Sequence, residues 1–285
     1  RAGALGRRAR AHPDGDGSGA GAVNPTAQPT YLELDGAEPP LADEAEAPPL
    51  SFLRYLGYNR RAQSGYTHGD VRTMQIWSRA LGADEVASLY ALDGVCLATP
   101  TPAPTPAPTP HELARALDHS LCFEQCALAD QVGGMDATLA NGAACAAGEG
   151  VVFDGVDDYV ELVGQSLGGP MTIAIWARWD ALNDHSRLCD FGDGQDDDNI
   201  LIYNQGTSAT IGFIIFVGSS YKSTTGGSIV LGAWTHVVVT AQGTTMKIYE
   251  DGSLVANTDD GQEPTSMTRA NHWLGRSAFS HLGYF

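Results

Sequence analysis

Gly150 to Leu162 reads G-V-V-F-D-G-V-D-D-Y-V-E-L. Val151 and Phe153 are apolar, and Asp154-Gly155 is a turn dipeptide. Tyr159, Val160 and Leu162 resume an extended run before Gly164, so the stretch reads as two short strands around a turn. Three carboxylates, Asp154, Asp157 and Asp158, crowd that turn. In a strand-rich acidic chain they place negative charge at the end of a sheet. The stretch is read as the start of a β-sandwich and as one half of a cation site.

Strand patterns follow it at short spacing. In residues 171–179, Met171, Ile173, Ile175, Ala177 and Trp179 alternate with Thr172, Ala174, Trp176 and Arg178. Further extended runs are Arg187 to Phe191, Ile200 to Tyr203, Ile211 to Val217, Trp234 to Ala241, Met246 to Tyr249 and Trp273 to Gly275. Asp251-Gly252, between Tyr249 and Ser253, predicts a tight hairpin, because that turn needs a positive φ that glycine takes freely. Many short strands without long helices predict an all-β fold, an antiparallel β-sandwich of jelly-roll type.

Upstream, residues 1–30 carry little apolar content and read as disordered. Tyr31 to Gly36, Phe52 to Tyr58 and Met74 to Trp77 read as extended pieces. Asp84 to Tyr90 reads as a short helix with Val86, Leu89 and Tyr90 on one face. Thr99 to Pro110 is T-P-T-P-A-P-T-P-A-P-T-P. Proline at alternate positions forbids helix and sheet, and marks 96–110 as a semi-rigid linker. Beyond it, Leu113 to Asp118 is predicted to form a helical turn. An internal repeat joins the two sides: Tyr55-Leu56-Gly57 matches Trp273-Leu274-Gly275, and Gly65-Tyr66 matches Gly283-Tyr284 at equal spacing. Residues 31–95 therefore read as the C-terminal part of a first domain, and 111–285 as a second, near-complete copy.

The bulk numbers narrow the function. Lys and Arg total 16 against 34 Asp and Glu, a net charge of −18. That excludes nucleic acid as a partner, since backbone binding needs cations to displace counterions. The run Ile211 to Val217 is far short of the ~20 apolar residues a membrane helix needs, so no membrane insertion is expected. Five cysteines are present. Their spacing does not fit a zinc site, and at least one disulfide is expected within Cys122, Cys126 and Cys145. Cys189 reads as a buried thiol.

Five ordered motifs now carry a resemblance. They are the opening stretch, M-T-I-A-I-W-A-R-W, L-G-A-W-T-H-V-V-V-T, M-K-I-Y-E-D-G-S-L-V-A and H-W-L-G-R-S. In this order they resemble the laminin-G-like jelly-roll domain of the concanavalin A-like lectin/glucanase superfamily. M-Q-I-W-S-R-A-L-G-A-D-E-V-A-S-L-Y resembles the closing strand and helix of the same domain. The resemblance implies two stacked antiparallel sheets in an extracellular or cell-surface protein that binds glycan or another extracellular protein, with Ca2+ at the sheet rim. The second copy stops short of its last strand; a fragmentary gene product is the favoured explanation, and filling of the gap by Asp70 to Trp77 from the first block is the alternative.

The chemistry follows from that frame. Asp193, Asp196 and Asp198, in D-F-G-D-G-Q-D-D-D-N, have the alternating oxygens that wrap a hard cation. With Asp157 and Asp158 they form the expected metal site. Tyr203 and Tyr221 are the expected glycan contacts, while the tryptophans and His236 read as structural. The glutamates after His111 are too scattered for the paired carboxylates of a glucanase, so catalysis is not expected. A non-catalytic recognition module is the function predicted. An accessory carbohydrate-binding module of a larger enzyme and a structural spacer are the alternatives.

Overall fold

The computed structural model describes residues 67–94, 96, 113 and 116–279. All of them fall in one compact unit, residues 58–285. The strands expected at 31–58, the Thr-Pro linker and the repeat halves at 55–66 and 283–284 lie outside the described residues.

In chain order the elements begin with β1 (His68–Trp77), α1 (Ala83–Ala91), β2 (Leu117–Cys122), β3 (Ala137–Ala140), β4 (Ala144–Ala146) and β5 (Gly150–Asp154). They continue with β6 (Tyr159–Leu162), β7 (Ser166–Leu167), β8 (Met171–Ala181), β9 (Arg187–Gly192), β10 (Ile200–Asn204) and β11 (Ile211–Val217). The last are β12 (Ser220–Gly226), β13 (Trp234–Gln242), β14 (Thr245–Glu250), β15 (Ser253–Thr258), β16 (Met267–Thr268) and β17 (Asn271–Leu274). One sheet runs β15-β14-β13-β8-β1-β5-β4, with β2 also paired to β1. The other runs β12-β11-β10-β9-β17-β6-β3, and every pair is antiparallel.

The core lies between the layers. Ile173, Ile175, Ala177 and Trp179 from β8, with Val237 and Val239 from β13, face Phe191, Ile200, Ile202, Phe213 and Ile215 of the other sheet. The period of two in these strands puts one set of side chains inside, and burying them drives the stacking. A second cluster forms on the outside of the first sheet. There α1 lays Val86 and Leu89 over Trp77, Ala174, Val238 and Tyr249. The helix begins at Gly82, whose N–H donates to the Glu85 carboxylate, and Glu85 also pairs with Arg79.

Three features differ from the sequence reading. Leu117-Asp118 opens a strand rather than ending a helical turn, because Ser120 and Leu121 pair with Gln75 and Met74. Ser220 to Gly226 forms an edge strand although it shows no apolar alternation. Val151–Phe153 and Tyr159–Leu162 flank one turn but do not pair with each other, since β5 and β6 belong to different sheets.

The segment before the linker is built into the sandwich. Met74 is registered with Ile175 on one side and Leu121 on the other, so the alternative reading, in which Asp70 to Trp77 fills the gap, is the arrangement found. Glycine marks both seams of β1. A Cβ on Gly69 would lie 1.9 Å from the Arg178 carbonyl oxygen, and one on Gly150 would lie 2.2 Å from that of Val71. Disulfides join Cys126 to Cys145 and Cys96 to Cys122, and Cys189 is free and buried. Of the three expected partners, Cys122 thus bonds outside the trio.

Candidate functional site

The Asp154–Asp158 turn carries the chain from one layer to the other, so its side chains gather at the rim of the sandwich. Gly155 takes φ 76°, a conformation glycine adopts without strain. A Cβ there would meet the His68 Cβ at 2.5 Å, so the turn is seated tightly against the start of β1. Asp154, Asp157 and Asp158 each offer a carboxylate oxygen, and the three oxygens lie within 4.8 Å of one another. The Asp158 carboxylate accepts the Asp154 N–H at 3.0 Å, and that of Asp154 accepts the Val156 N–H at 2.7 Å. The Asn141 side-chain amide donates to the Asp157 carbonyl oxygen.

Asp158 is buried, and its carboxyl is held above its ordinary range. Burial is the main cause, opposed by the Asp154 N–H and reinforced by the charges of Asp154 and Asp157. Three like charges at this spacing repel one another, and a hard cation relieves that repulsion. The donor set is all oxygen, which suits Ca2+. These residues therefore fit the ion that the fold resemblance implies, with Asp154 added to the pair expected from sequence.

Asp193, Asp196 and Asp198 lie elsewhere. β6 pairs with β17 through Trp273↔Glu161, and β17 pairs with β9 through Asn271↔Gly192 and Leu274↔Cys189. That register puts the start of β6, beside Asp158, next to Gly275 and Arg187. The end of β9, leading to Asp193, lies at the opposite end of the sheet. Six strand residues at ~3.3 Å each separate the two ends by ~20 Å. The five aspartates expected to form one site are thus divided.

Two carboxylates of the second loop, those of Asp193 and Asp198, bind backbone instead. Asp193 accepts the Ala270 N–H at 2.6 Å, and Asp198 accepts the Gly218 N–H at 2.9 Å. Asp196 and Asp198 take φ values of 56° and 52°, as short polar residues do in tight turns. Asn199 is buried and bridges Asp190 and the Gly194 carbonyl oxygen. Arg269 is buried below the loop and donates to the carbonyl oxygens of Asp198, Leu167 and Thr265. Sequence composition marked this loop as acidic without revealing that Asp193 and Asp198 cap backbone groups.

Tyr203 and Tyr221 share the outer side of the second sheet. Tyr203 is 5% exposed, with its ring over Gly212 and the Arg187 guanidinium 4.8 Å from its centroid. Tyr221 is 51% exposed and packs beside Phe216. Only Tyr221 presents a broad ring surface to solvent. Trp179 is fully buried, as expected for a structural residue. Trp176 and His236 face each other across β8 and β13 under the ring of Tyr90. Trp234 is half-buried beneath the Arg72 guanidinium, 4.2 Å from its centroid.

Residues 154–285 match the laminin G family model described as the concanavalin A-like lectin/glucanases superfamily. Two solved structures are similar to the chain. A carbohydrate-binding module from Bacillus subtilis is 15% identical, with 49% of this chain and 91% of that one covered, at a TM-score of 0.32. An S-layer domain-containing protein from Clostridium thermocellum is 25% identical, with 51% of this chain and 67% of that one covered, at a TM-score of 0.27. No curated protein matches the chain.

Proposed function

We propose that the chain is a non-catalytic recognition module of an extracellular or cell-surface protein, binding glycan or a protein surface with Ca2+ held at the Asp154–Asp158 turn. The family match over 154–285 carries the reading, because the matched segment opens on that acidic turn. Asp154, Asp157 and Asp158 hold the ion in this reading. The cation offsets their mutual repulsion and offers open coordination positions to ligand oxygens at the rim.

The glutamates favour binding over hydrolysis. Among the described residues Glu161 is on β6, Glu250 on β14, Glu124 in the turn after β2, and Glu149 and Glu263 in loops. Glucanases of the superfamily that the chain resembles carry paired glutamates on one strand, and no two of these glutamates share a strand. Two disulfides fit an oxidising compartment.

Calorimetric titration of the full chain with CaCl2 tests the metal, and a glycan array with and without chelator tests the ligand. The expected result is a saturable heat that Asp158→Asn abolishes, with array signals lost on chelation. Flat heats from the folded native chain would overturn the metal assignment. An empty array with calcium present would overturn glycan as the ligand.

A further inference from the structure

The unit formed by β1 and α1 stands on one side of the Thr-Pro segment, and every other strand among the described residues stands on the other. β1 is not an edge strand. Nine of its residues are registered with β8, and its other edge is registered with β2 and β5. Removing it would split the first sheet between β8 and β5 and leave two open ladders. Removing α1 would strip the apolar outer face of Ala174, Val238 and Tyr249. The seam is built for this strand and no bulkier one: Gly69 lies against the Arg178 carbonyl, and Gly150 lies against that of Val71.

We propose that residues 68–91 are an exchangeable closing unit, which completes either its own sandwich or that of a second copy of this chain, and that Cys96–Cys122 fixes the choice. Two observations carry this. The contacts that seat the unit are backbone ladders, shape and a few polar pairs, among them Arg178–Asp70 and the Leu81 N–H donated to Thr172 Oγ1, and a second copy supplies all of them identically. Between the unit and the rest of the sandwich runs one long connection. Cys96 and Leu113 are 17 residues apart. At ~3.1 Å per residue for a proline-rich chain the connection reaches ~50 Å, more than the ~36 Å of an eleven-residue strand. It therefore does not force the unit into its own sandwich. The Cys96–Cys122 bond does, because Cys96 lies five residues after α1 while Cys122 ends β2, the neighbour of β1. Formed within a chain, it closes the unit in place. Formed between chains, it makes a covalent pair.

The test uses the full chain. Equal amounts of unlabelled and 15N-labelled protein are unfolded with dithiothreitol, which reduces each disulfide to two thiols. They are then refolded together over a range of concentrations with oxidised glutathione, which takes up the two electrons and two protons per bond. Trypsin cuts at Arg79, Arg115 and Arg178, which places Cys96 and Cys122 on separate peptides. Exchange predicts bridged peptides of mixed label, in a fraction that rises several-fold across a tenfold increase in protein, together with dimers by light scattering. Bridges of single label at every concentration, in protein that has regained its β-sheet circular dichroism, would overturn the proposal. A second arm needs no refolding: the Cys96→Ser, Cys122→Ser double variant is mixed as folded labelled and unlabelled monomers at high concentration. Native mass spectrometry should find mixed dimers there and none in oxidised wild type treated alike. Equal amounts in both would remove the disulfide from the account.

Discussion

Gly150 and Asp130 show how single positions fix the fold by opposite means. At Gly150 the requirement is space: any Cβ runs into the Val71 carbonyl of the neighbouring strand, and φ is 103°. Gly150→Ala should therefore cost about 2–4 kcal/mol by urea unfolding, as backbone strain and a forced strand shift add. Asp130 is buried, and its side chain accepts the N–H groups of Ser120, Val132 and Met135 and contacts His119 Nδ1 at 2.7 Å. Burial pushes its carboxyl up, but these bonds outweigh burial and hold it below the ordinary value. Asp130→Ala should cost about 3 kcal/mol at pH 7, because it orphans three amides at once. The loss should shrink as pH falls through the depressed carboxyl value, since the native contribution is itself lost there. Neither role was legible in the sequence. A glycine in a strand pattern signals a close approach without naming the partner, and Asp130 sits in a loop whose acceptor role depends on tertiary approach.

Elements were legible where their side chains alternate. β8, β11 and β13 emerge from the sequence almost to the residue, because inward apolar residues at period two are what the core selects. β12 was not legible, because an edge strand with a polar outer face carries no such signal. Register was not legible either, and register alone separates Asp157 and Asp158 from Asp193, Asp196 and Asp198. Disulfide pairing belongs to the same scale. Cys126–Cys145 ties the turn after β2 to the edge strand β4. Its loop spans 19 residues. Replacing both cysteines by serine should lower stability by ~3 kcal/mol, from the loop-closure entropy returned to the unfolded chain. Equilibrium unfolding of the oxidised proteins measures it, and the variant should keep the β-sheet signature.

For the molecule as a whole, acid acts through histidines buried without charge. His272 is lowered to about 4 and His236 to about 3, in both cases chiefly by burial. Their ordinary value is 6.5, so between pH 6.5 and 4 the unfolded chain binds protons that the folded chain refuses. Stability therefore falls as pH falls through that window, by up to ~1.4 kcal/mol per unit for each histidine. Asp70, Asp158 and Asp190 are raised by burial and work in the opposite sense at the acid end. The readable quantity is the difference between wild type and His272→Gln: the variant's urea midpoint should decline less steeply between pH 6.5 and 4. Parallel curves would mean that His272 already finds a proton in the folded state.

The placement of β1 in mid-sheet also sets a timetable. Thr73 is registered with Cys122 on one side and Trp176 on the other, so one edge of β1 meets its partner about fifty residues later and the other edge waits roughly a hundred. At ~5–20 residues per second, synthesis leaves the β8-facing edge of Met74-Gln75-Ile76-Trp77 open for about 5–20 s. A nascent apolar strand held open that long is an invitation to chaperones and to neighbouring nascent chains, so yield in a heterologous host should depend on holdase supply and on translation speed more than on the final ΔG.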